Sequence, residues 1–196
     1  RRLILLRHGQ TEYNATDRMQ GQLDTDLSEL GRTQAKTAAA ELAIREPIRI
    51  VSSDLRRALD TAVALGDAAG VPVTQDERLR ETHLGEWQGL THNDADDIAP
   101  GARPAWRADA TIAPPGGESR VDVARRSVPL VRELLGSVDR WGAEGDERPV
   151  VLVAHGGLIA ALTAALLDLP TDRWPVLGGL ANTCLLYTSD AADEED

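Results

Sequence analysis

The segment LILLRHGQTEYN occupies residues 3–14, and it indicates the fold of the chain. Four apolar residues run without a break into Arg7-His8-Gly9, and a polar turn follows. A short apolar run that ends near a glycine is typical of a fully buried strand in a parallel sheet. Open α/β sheets bind their ligands just beyond the carboxyl ends of such strands. We therefore expect Arg7 and His8 to lie at a ligand-binding edge of the sheet.

The residue types at this strand end suit an anionic ligand such as a phosphoryl group. Arg7 supplies a permanent cation, and Gly9 permits close approach of the backbone to a ligand. His8 can act as a nucleophile, because a neutral imidazole nitrogen carries a lone pair. The alternative is a strand-end histidine that only forms a hydrogen bond, and one short motif does not decide between these interpretations.

A second segment, PVVLVAHGG at residues 149–157, repeats this pattern. A buried strand again ends in His-Gly, at His155 and Gly156, and a helix is predicted from Leu158 to about Leu167. The N-terminus of that helix adds backbone donors and the positive end of a dipole at the same edge of the sheet. If the strands are parallel, the two His-Gly motifs converge.

Two further helices are indicated between these strands. Ser28 is a predicted N-cap for a helix that runs to about Ala43, and Asp54 is a predicted N-cap for a helix that ends near Gly70. The second helix carries Arg57 near its start. Arg57 therefore joins the histidines at the same edge of the predicted sheet.

The other elements complete an alternation of strands and helices. Residues 48–53 are predicted to form a buried strand, and residues 71–74 a short peripheral strand that contains proline. A longer helix is predicted over about residues 120–141, with a kink at Pro129. Together these elements predict an α/β three-layer sandwich with a mostly parallel central sheet and right-handed crossovers.

Residues 78–119 differ in character from the rest of the chain. They contain two tryptophans, Trp87 and Trp106, among many Gly, Pro, Asp and Ala residues, and the PG and PPGG clusters are strong turn signals. We expect an irregular, partly helical insertion that lies over the active site like a lid. The alternative is a structural cover without ligand contact, and for Trp87, Trp106 and Arg103 both roles remain open.

The composition limits the class of protein. At 196 residues and 42% hydrophobic content the chain fits one domain, and its net charge of −11 disfavours a nucleic-acid partner, which would need a basic face. No apolar run approaches a membrane span, and the single Cys184 excludes an intramolecular disulfide framework. We expect a cytoplasmic protein with no nucleic-acid or membrane partner, whose ligand is a small phosphorylated metabolite.

A metal site is the competing explanation for the paired histidines. His83 and His92 have no cysteine partners, and the arginines beside His8 and His155 would repel a cation. Two histidines and two arginines around one point therefore favour a phosphoryl pocket that needs no metal or other cofactor.

Five motifs occur in this chain in the order found in the histidine phosphatase superfamily. They are RHG at 7–9, SDLRRA at 53–58, LRE at 79–81 with GEWQG at 85–89, GGES at 116–119, and AHGG at 154–157. The chain resembles this superfamily over about residues 2–183. The resemblance implies the phosphoglycerate-mutase-like fold and phosphoryl transfer without a metal.

The resemblance also implies a role for each matching residue. His8 corresponds to the nucleophile that becomes a phosphohistidine. Glu81 corresponds to the general acid that later serves as base. The acid role needs a carboxyl group that is protonated near neutral pH. Without the resemblance, the sequence around Glu81 would predict a surface glutamate. The residues that correspond to ligands of the phosphoryl group or the attacking water are Arg7, Asn14, Gln20, Arg57, His155 and the amide of Gly156.

Longer stretches, such as RMQGQLD at 18–24 and LRETHLG at 79–85, resemble the actinobacterial enzymes that hydrolyse glucosyl-3-phosphoglycerate. That resemblance implies release of phosphate from this ester, which leaves glucosylglycerate, and assembly as a homodimer. The alternatives are a phosphoglycerate mutase, a sugar-phosphate phosphatase of broad specificity, and a non-catalytic module that binds a phosphorylated ligand. The last is disfavoured because a binding module does not need a nucleophile and an acid together.

The resemblance ends after Thr183, where the chain continues with CLLYTSDAADEED. Residues 184–194 match the in-frame translation of a transposase adaptor used in preparing sequencing libraries. We therefore expect residues 1–183 to form a single domain and residues 184–196 to be a non-native tail. The edge of the sheet is then expected to lack the family's next strand.

Overall fold

The two apolar runs that end in His-Gly form neighbouring parallel strands. In the computed structural model, which describes residues 1–178, 181–183 and 185–189, these are β1 (Arg2–Arg7) and β4 (Val150–Ala154). The register places Arg7 opposite Ala154. Side chains alternate between the two faces of each strand, and both faces are buried, which explains why the runs are apolar without interruption.

Three further strands complete a five-stranded sheet. They are β2 (Arg49–Ser52), β3 (Val73–Gln75) and β5 (Leu185–Ser189), and the order across the sheet is β3-β2-β4-β1-β5. The pairs β1–β4, β2–β4 and β2–β3 are parallel, and β5 runs antiparallel to β1. The prediction of a mostly parallel α/β sheet is confirmed.

Helices cover both faces of the sheet. Ile4 and Leu6 of β1 pack with apolar side chains of the second and third helices, whereas Leu3 and Leu5 pack with those of the sixth and seventh. This is the predicted three-layer arrangement. The helices are α1 (Glu12–Ala15), α2 (Glu29–Ala43), α3 (Arg56–Ala69), α4 (His92–Ile98), α5 (Ala102–Ala108), α6 (Arg120–Ser137) and α7 (Gly156–Leu166).

The helix boundaries follow the sequence signals at most ends. Ser28 caps α2, where its hydroxyl oxygen accepts a hydrogen bond from the Gly31 N–H at 3.1 Å, and α3 ends at Gly70. The prediction for α6 was four residues too long at its C-terminus. The chain leaves the helix at Val138 and brings Trp141 into the core, where the indole Nε1 donates to the carbonyl of Arg2 at 3.1 Å.

The prediction that Asp54 caps α3 was wrong. The helix begins after Leu55 without a side-chain cap. The Asp54 carboxylate instead forms a bidentate ion pair with Arg80, which includes an Nε–Oδ1 hydrogen bond of 2.8 Å, and this contact lowers the pKa of Asp54. Arg80 offers the carboxylate a paired set of charged donors, and the carboxylate is directed toward this guanidinium and away from the helix.

The insertion at residues 78–119 contains short helical turns in addition to α4 and α5. The turns span Glu77–Leu79 and Gly85–Trp87, and another follows α7 at Thr171–Val176. The insertion has a small apolar cluster of its own around Trp87, whose ring meets Trp106 edge-on at 5.7 Å. It is therefore a packed unit with short regular elements.

The expectation of a truncated sheet edge was wrong, because β5 pairs with β1 from Arg2 opposite Ser189 to Leu6 opposite Leu185. The sequence LLYTS contains Tyr187 and Thr188, which are residue types that favour strands, and it has no Gly or Pro. An open edge of a sheet presents unpaired backbone groups with which such a segment can pair. Cys184 and residues 190–196 lie outside the described residues. No helix within the described ranges is long and apolar enough to cross a membrane.

Candidate active site

The register of β1 and β4 brings His8 and His155 together one residue beyond the paired strand ends. The His8 N–H donates to the carbonyl of Ala154 at 3.0 Å, which extends the strand pairing by one step. The two imidazole rings then lie with their centroids 5.1 Å apart and tilted by 58°. Both side chains are buried at this edge of the sheet.

The hydrogen bonding of His8 defines its tautomer. Nδ1 lies 2.6 Å from the carbonyl oxygen of Gly9, and because a carbonyl oxygen only accepts, Nδ1 carries the proton. Nε2 therefore keeps its lone pair. Burial, followed by the charges of Arg57 and Arg7, holds the pKa of His8 well below its usual range. The ring is thus neutral at pH 7, with Nε2 unprotonated.

His155 is enclosed by protein at the start of α7. Neither ring nitrogen has a hydrogen-bond partner among the described residues. Burial, and then the charges of Arg57, His8 and Arg7, hold the pKa of His155 well below its usual range. A neutral imidazole therefore lies beside His8 with one N–H donor that no other described residue uses.

Arg57 is a fully buried cation held by the loop that follows α1. Its Nη1 donates to the carbonyl of Leu23 and its Nη2 to that of Gly21, both at 2.7 Å. Burial lowers the pKa of Arg57 to about 10, so the guanidinium remains charged at pH 7. Arg7, at the end of β1, has its guanidinium against Gly156. The two arginines make the site strongly electropositive.

Two amide side chains present donors to the same site. The Oδ1 of Asn14 accepts from the Thr11 N–H at 3.1 Å and from Nδ2 of Asn182 at 3.2 Å. The Oε1 of Gln20 accepts from the hydroxyls of Thr11 at 2.9 Å and Thr25 at 2.6 Å. Because their oxygens are occupied, both side chains offer NH₂ groups to a ligand.

Glu81 reaches the site from the insertion and binds the N-terminus of α7. Its Oε2 accepts from the Gly157 N–H at 3.1 Å, and its Oε1 accepts from the Leu158 N–H at 3.0 Å and the Thr82 N–H at 2.8 Å. The side chain therefore caps the helix that begins after His155. Arg126 supports the same loop by donating to the Glu81 carbonyl at 3.0 Å.

A cavity of about 600 Å³ contains this group. Seven of the eight predicted site residues line it, and the eighth, His155, lies enclosed beside His8. The seven are Arg7, His8, Asn14, Gln20, Arg57, Glu81 and Gly156. Within the described part of the chain, no group of three or more His, Cys, Asp or Glu side chains is arranged to hold a metal ion.

The structure explains the glycine at position 9 by backbone packing and not by the predicted approach of a ligand. Gly9 does not line the cavity; a Cβ there would lie 2.4 Å from the carbonyl oxygen of Gly31 in α2. The glycine is needed because helix and loop backbones touch behind the nucleophile.

Sequence reasoning left part of the cavity wall unassigned. Of the three candidates in the insertion, Trp106 lines the cavity, whereas Trp87 is buried in the local core and Arg103 pairs with Asp96. Arg107 and Arg120 also line it, although no motif indicated them. Their only signal was the position of Arg120 directly after GGES and of Arg107 beside Trp106.

This arrangement supports phosphoryl transfer to a histidine. It holds a neutral imidazole nucleophile, two arginines, several N–H donors and one carboxyl group around a single cavity. The chain belongs to the histidine phosphatase superfamily (branch 1), whose sequence profile matches residues 3–193. The match extends beyond Thr183 into the segment predicted to be non-native.

Several relatives with high sequence identity carry the name of one particular enzyme within this superfamily. The chain is 73% identical to a glucosyl-3-phosphoglycerate phosphatase of Mycolicibacterium vanbaalenii. The alignment extends over 182 residues and covers 93% of this chain and 81% of the relative. It is 69% identical to the glucosyl-3-phosphoglycerate phosphatase of Mycobacterium tuberculosis H37Rv, over 183 residues that cover 93% of this chain and 82% of the relative. A solved mycobacterial glucosyl-3-phosphoglycerate phosphatase complexed with VO3 has a TM-score of 0.95 and 66% identity, covering 96% of this chain and 91% of that one. These findings confirm the predicted family and fold.

Proposed function

We propose that this protein hydrolyses the phosphate ester of glucosyl-3-phosphoglycerate through a phosphohistidine at His8. The observation that carries the chemistry is the 2.6 Å contact between Nδ1 of His8 and the Gly9 carbonyl, which leaves Nε2 as an unprotonated nucleophile. The choice of substrate is supported by the names of the 73% and 69% identical relatives.

The first step is binding of the phosphoryl group above the paired histidines. Arg7 and Arg57 neutralise its charge, and the amide groups of Asn14 and Gln20 donate to its oxygens. The N–H of Gly156, at the start of α7, and the ring of His155 complete the set of ligands. These interactions strengthen as negative charge builds on the phosphoryl oxygens in the transition state.

The second step transfers the phosphoryl group. Nε2 of His8 forms a bond to phosphorus as the bond from phosphorus to the ester oxygen breaks. The leaving oxygen takes a proton from the carboxyl group of Glu81 and departs as glucosylglycerate. The product at this stage is a phosphohistidine beside a Glu81 carboxylate.

The third step restores the enzyme. A water molecule attacks the phosphohistidine, and Glu81 accepts a proton from that water as the nitrogen–phosphorus bond breaks. Inorganic phosphate leaves, and Nε2 of His8 regains its lone pair. A mutase would share the phosphohistidine but return its phosphoryl group to the bound product.

The proposal also includes the class of ligand, the cellular location and the oligomeric state. A small phosphorylated metabolite as ligand fits a cytoplasmic location and a cavity of about 600 Å³. A homodimer is supported by the resemblance to the actinobacterial enzymes. Light scattering on the purified protein at several concentrations measures the oligomeric state directly.

The deciding experiment compares phosphate release from glucosyl-3-phosphoglycerate and 3-phosphoglycerate. We expect a strong preference for the glucosylated ester. Equal cleavage of both esters contradicts the substrate assignment, and conversion of 3-phosphoglycerate to its isomer contradicts hydrolysis as the main reaction. His8→Ala is expected to abolish turnover and the acid-labile phosphohistidine while phosphate still binds.

A further inference from the structure

A second cationic group lines the cavity, on residues at the end of the insertion and directly after it. It consists of Arg107, at the end of α5, and Arg120, the first residue of α6. Trp106 lines the same cavity. None of the three has a role in the phosphoryl chemistry proposed above.

The charge of Arg120 is not balanced within the described residues. Neither Arg120 nor Arg107 forms an ion pair with any acidic side chain in residues 1–178, 181–183 or 185–189, and Nη1 of Arg120 is buried without a hydrogen-bond partner there. Burial and then the charge of Arg107 lower the pKa of Arg120. A half-buried guanidinium with no acceptor is costly to keep unless a ligand supplies one.

Trp106 determines where the Arg120 guanidinium lies. The Cζ of Arg120 is 5.9 Å from the centroid of the Trp106 ring, within the range of a cation–π contact. Trp106 is in turn fixed by its edge-on contact with the buried Trp87. The guanidinium therefore lies at the cavity against a ring that is itself held by a second, buried ring.

The other cations of the cavity are already engaged. Arg7 and Arg57 lie at the phosphoryl pocket, and Nη1 of Arg18 donates to the Gly89 carbonyl at 2.9 Å. Arg120 and Arg107 form a second positively charged region of the cavity wall, which is built by α5 and α6 instead of by β1 and α3. A single substrate that carries two anionic groups would satisfy both regions.

We propose that Arg120, with Arg107 beside it, binds the carboxylate of the phosphorylated substrate, and that Trp106 positions Arg120 for this contact. The inference rests on the proposed function, because a phosphoglycerate ester carries a carboxylate in addition to its phosphate. A guanidinium binds a carboxylate through paired N–H donors, which a sugar hydroxyl does not match. The subsite selects esters of acidic acceptors over esters of neutral ones.

The test measures how removal of the Arg120 charge changes the kinetics on three substrates. Arg120→Met keeps much of the side-chain bulk and removes the charge. We expect kcat/KM for glucosyl-3-phosphoglycerate to fall by about 10- to 100-fold, mainly through KM, as for loss of a hydrogen bond to a charged group. Activity on the corresponding carboxamide and on a simple aryl phosphate is expected to change less than threefold. Arg132→Met, an exposed charge removal on the same helix, is the matched control.

The outcomes separate the two proposals. No hydrolysis of glucosyl-3-phosphoglycerate by the unaltered protein, with aryl phosphate still cleaved, overturns the proposed function. An equal loss on all three substrates in Arg120→Met overturns only the carboxylate subsite, since it shows a structural role. An unaltered protein that cleaves the carboxamide as well as the carboxylate also overturns the subsite. Trp106→Leu is expected to reproduce the selective loss in weaker form.

Discussion

The carboxylate of Glu81 accepts a hydrogen bond from the backbone N–H of Gly157 at 3.1 Å, across 76 positions of the sequence. This contact fixes the proposed acid to the same helix N-terminus whose first turn follows His155. The nucleophile, the second histidine and the acid are therefore held by strand ends and one helix end, which are rigid supports.

The contact between Glu81 and Gly157 predicts the effect of a single added methyl group. A Cβ at position 157 would lie 2.6 Å from Oε1 of Glu81 and 2.8 Å from Oγ1 of Thr82. Gly157→Ala is therefore expected to displace the acid and lower kcat for glucosyl-3-phosphoglycerate by about 100-fold. Steady-state kinetics on this ester and on an aryl phosphate measure it; the aryl ester should lose less, because its leaving group needs less protonation.

The control for that substitution is Gly136→Ala in α6. A Cβ at position 136 meets no atom within 4 Å, so its kinetics should match those of the unaltered protein. Full activity of Gly157→Ala on the glucosylated ester would contradict the position assigned to the acid.

Arg57 is predicted to be needed for both activity and stability. Its removal leaves the carbonyls of Gly21 and Leu23 without their 2.7 Å donors and deletes a buried cation of the phosphoryl pocket. Arg57→Ala is expected to reduce kcat/KM by at least about 100-fold and the free energy of unfolding by about 2 kcal/mol. Urea denaturation and initial rates measure the two effects.

The neighbouring Arg56 provides the comparison. Its ion pair with Asp26 lies at the surface, with Arg56 61% exposed, so Arg56→Ala should change the free energy of unfolding by less than about 1 kcal/mol. If the two alanine variants behaved alike, the role given to the Arg57 contacts would be wrong.

The lowered pKa values of His8 and His155 predict how stability depends on pH. Each histidine takes up a proton in the unfolded chain near pH 6.5 but resists protonation in the folded protein. The unfolded state therefore binds more protons below that pH, and stability falls as the pH drops from about 6.5 toward the folded pKa values. The limiting slope is about 1.4 kcal/mol per pH unit for each histidine.

Chemical denaturation between pH 8 and pH 5 measures this slope. His8→Gln is expected to flatten it by removing one member of the buried pair. A free energy of unfolding that stays constant from pH 8 to pH 5 would contradict neutral, buried histidines in the folded protein.

The origin of residues 184–196 is open to a direct test. We propose that this segment derives from a sequencing adaptor, and the gene recovered from an intact clone is then expected to encode a different sequence after Thr183. The same residues at 184–194 in that clone would end the hypothesis. Thr183 itself contributes to the site region, where its N–H donates to the His8 carbonyl at 3.3 Å.

Features encoded over a few neighbouring residues were predicted well. The apolar runs that became β1 and β4, the Ser28 cap and the end of α3 at Gly70 all depend on local chemistry. Arg7, His8 and His155 followed from motifs at strand ends and Arg57 from its place near a helix start. Asn14, Gln20, Glu81 and the amide of Gly156 came from the family resemblance alone. Seven of these eight residues line one cavity.

Features that depend on distant partners were not predicted. Asp54 turns from its helix toward Arg80, which lies 26 residues later, and Glu81 finds its donors in α7. The unbalanced charge of Arg120 is visible only when α5 and α6 are packed together. No local pattern contains these pairings, because they are consequences of how elements are arranged in space.

The pairing of Arg7 with Ala154 has a consequence for how the protein fails on heating. The two histidines keep their spacing through a strand register in the middle of the sheet, where backbone hydrogen bonds open only when the whole domain opens. The insertion, by contrast, rests on a small apolar cluster of its own. We therefore expect selectivity among phosphate esters to be lost at a lower temperature than the ability to form a phosphohistidine.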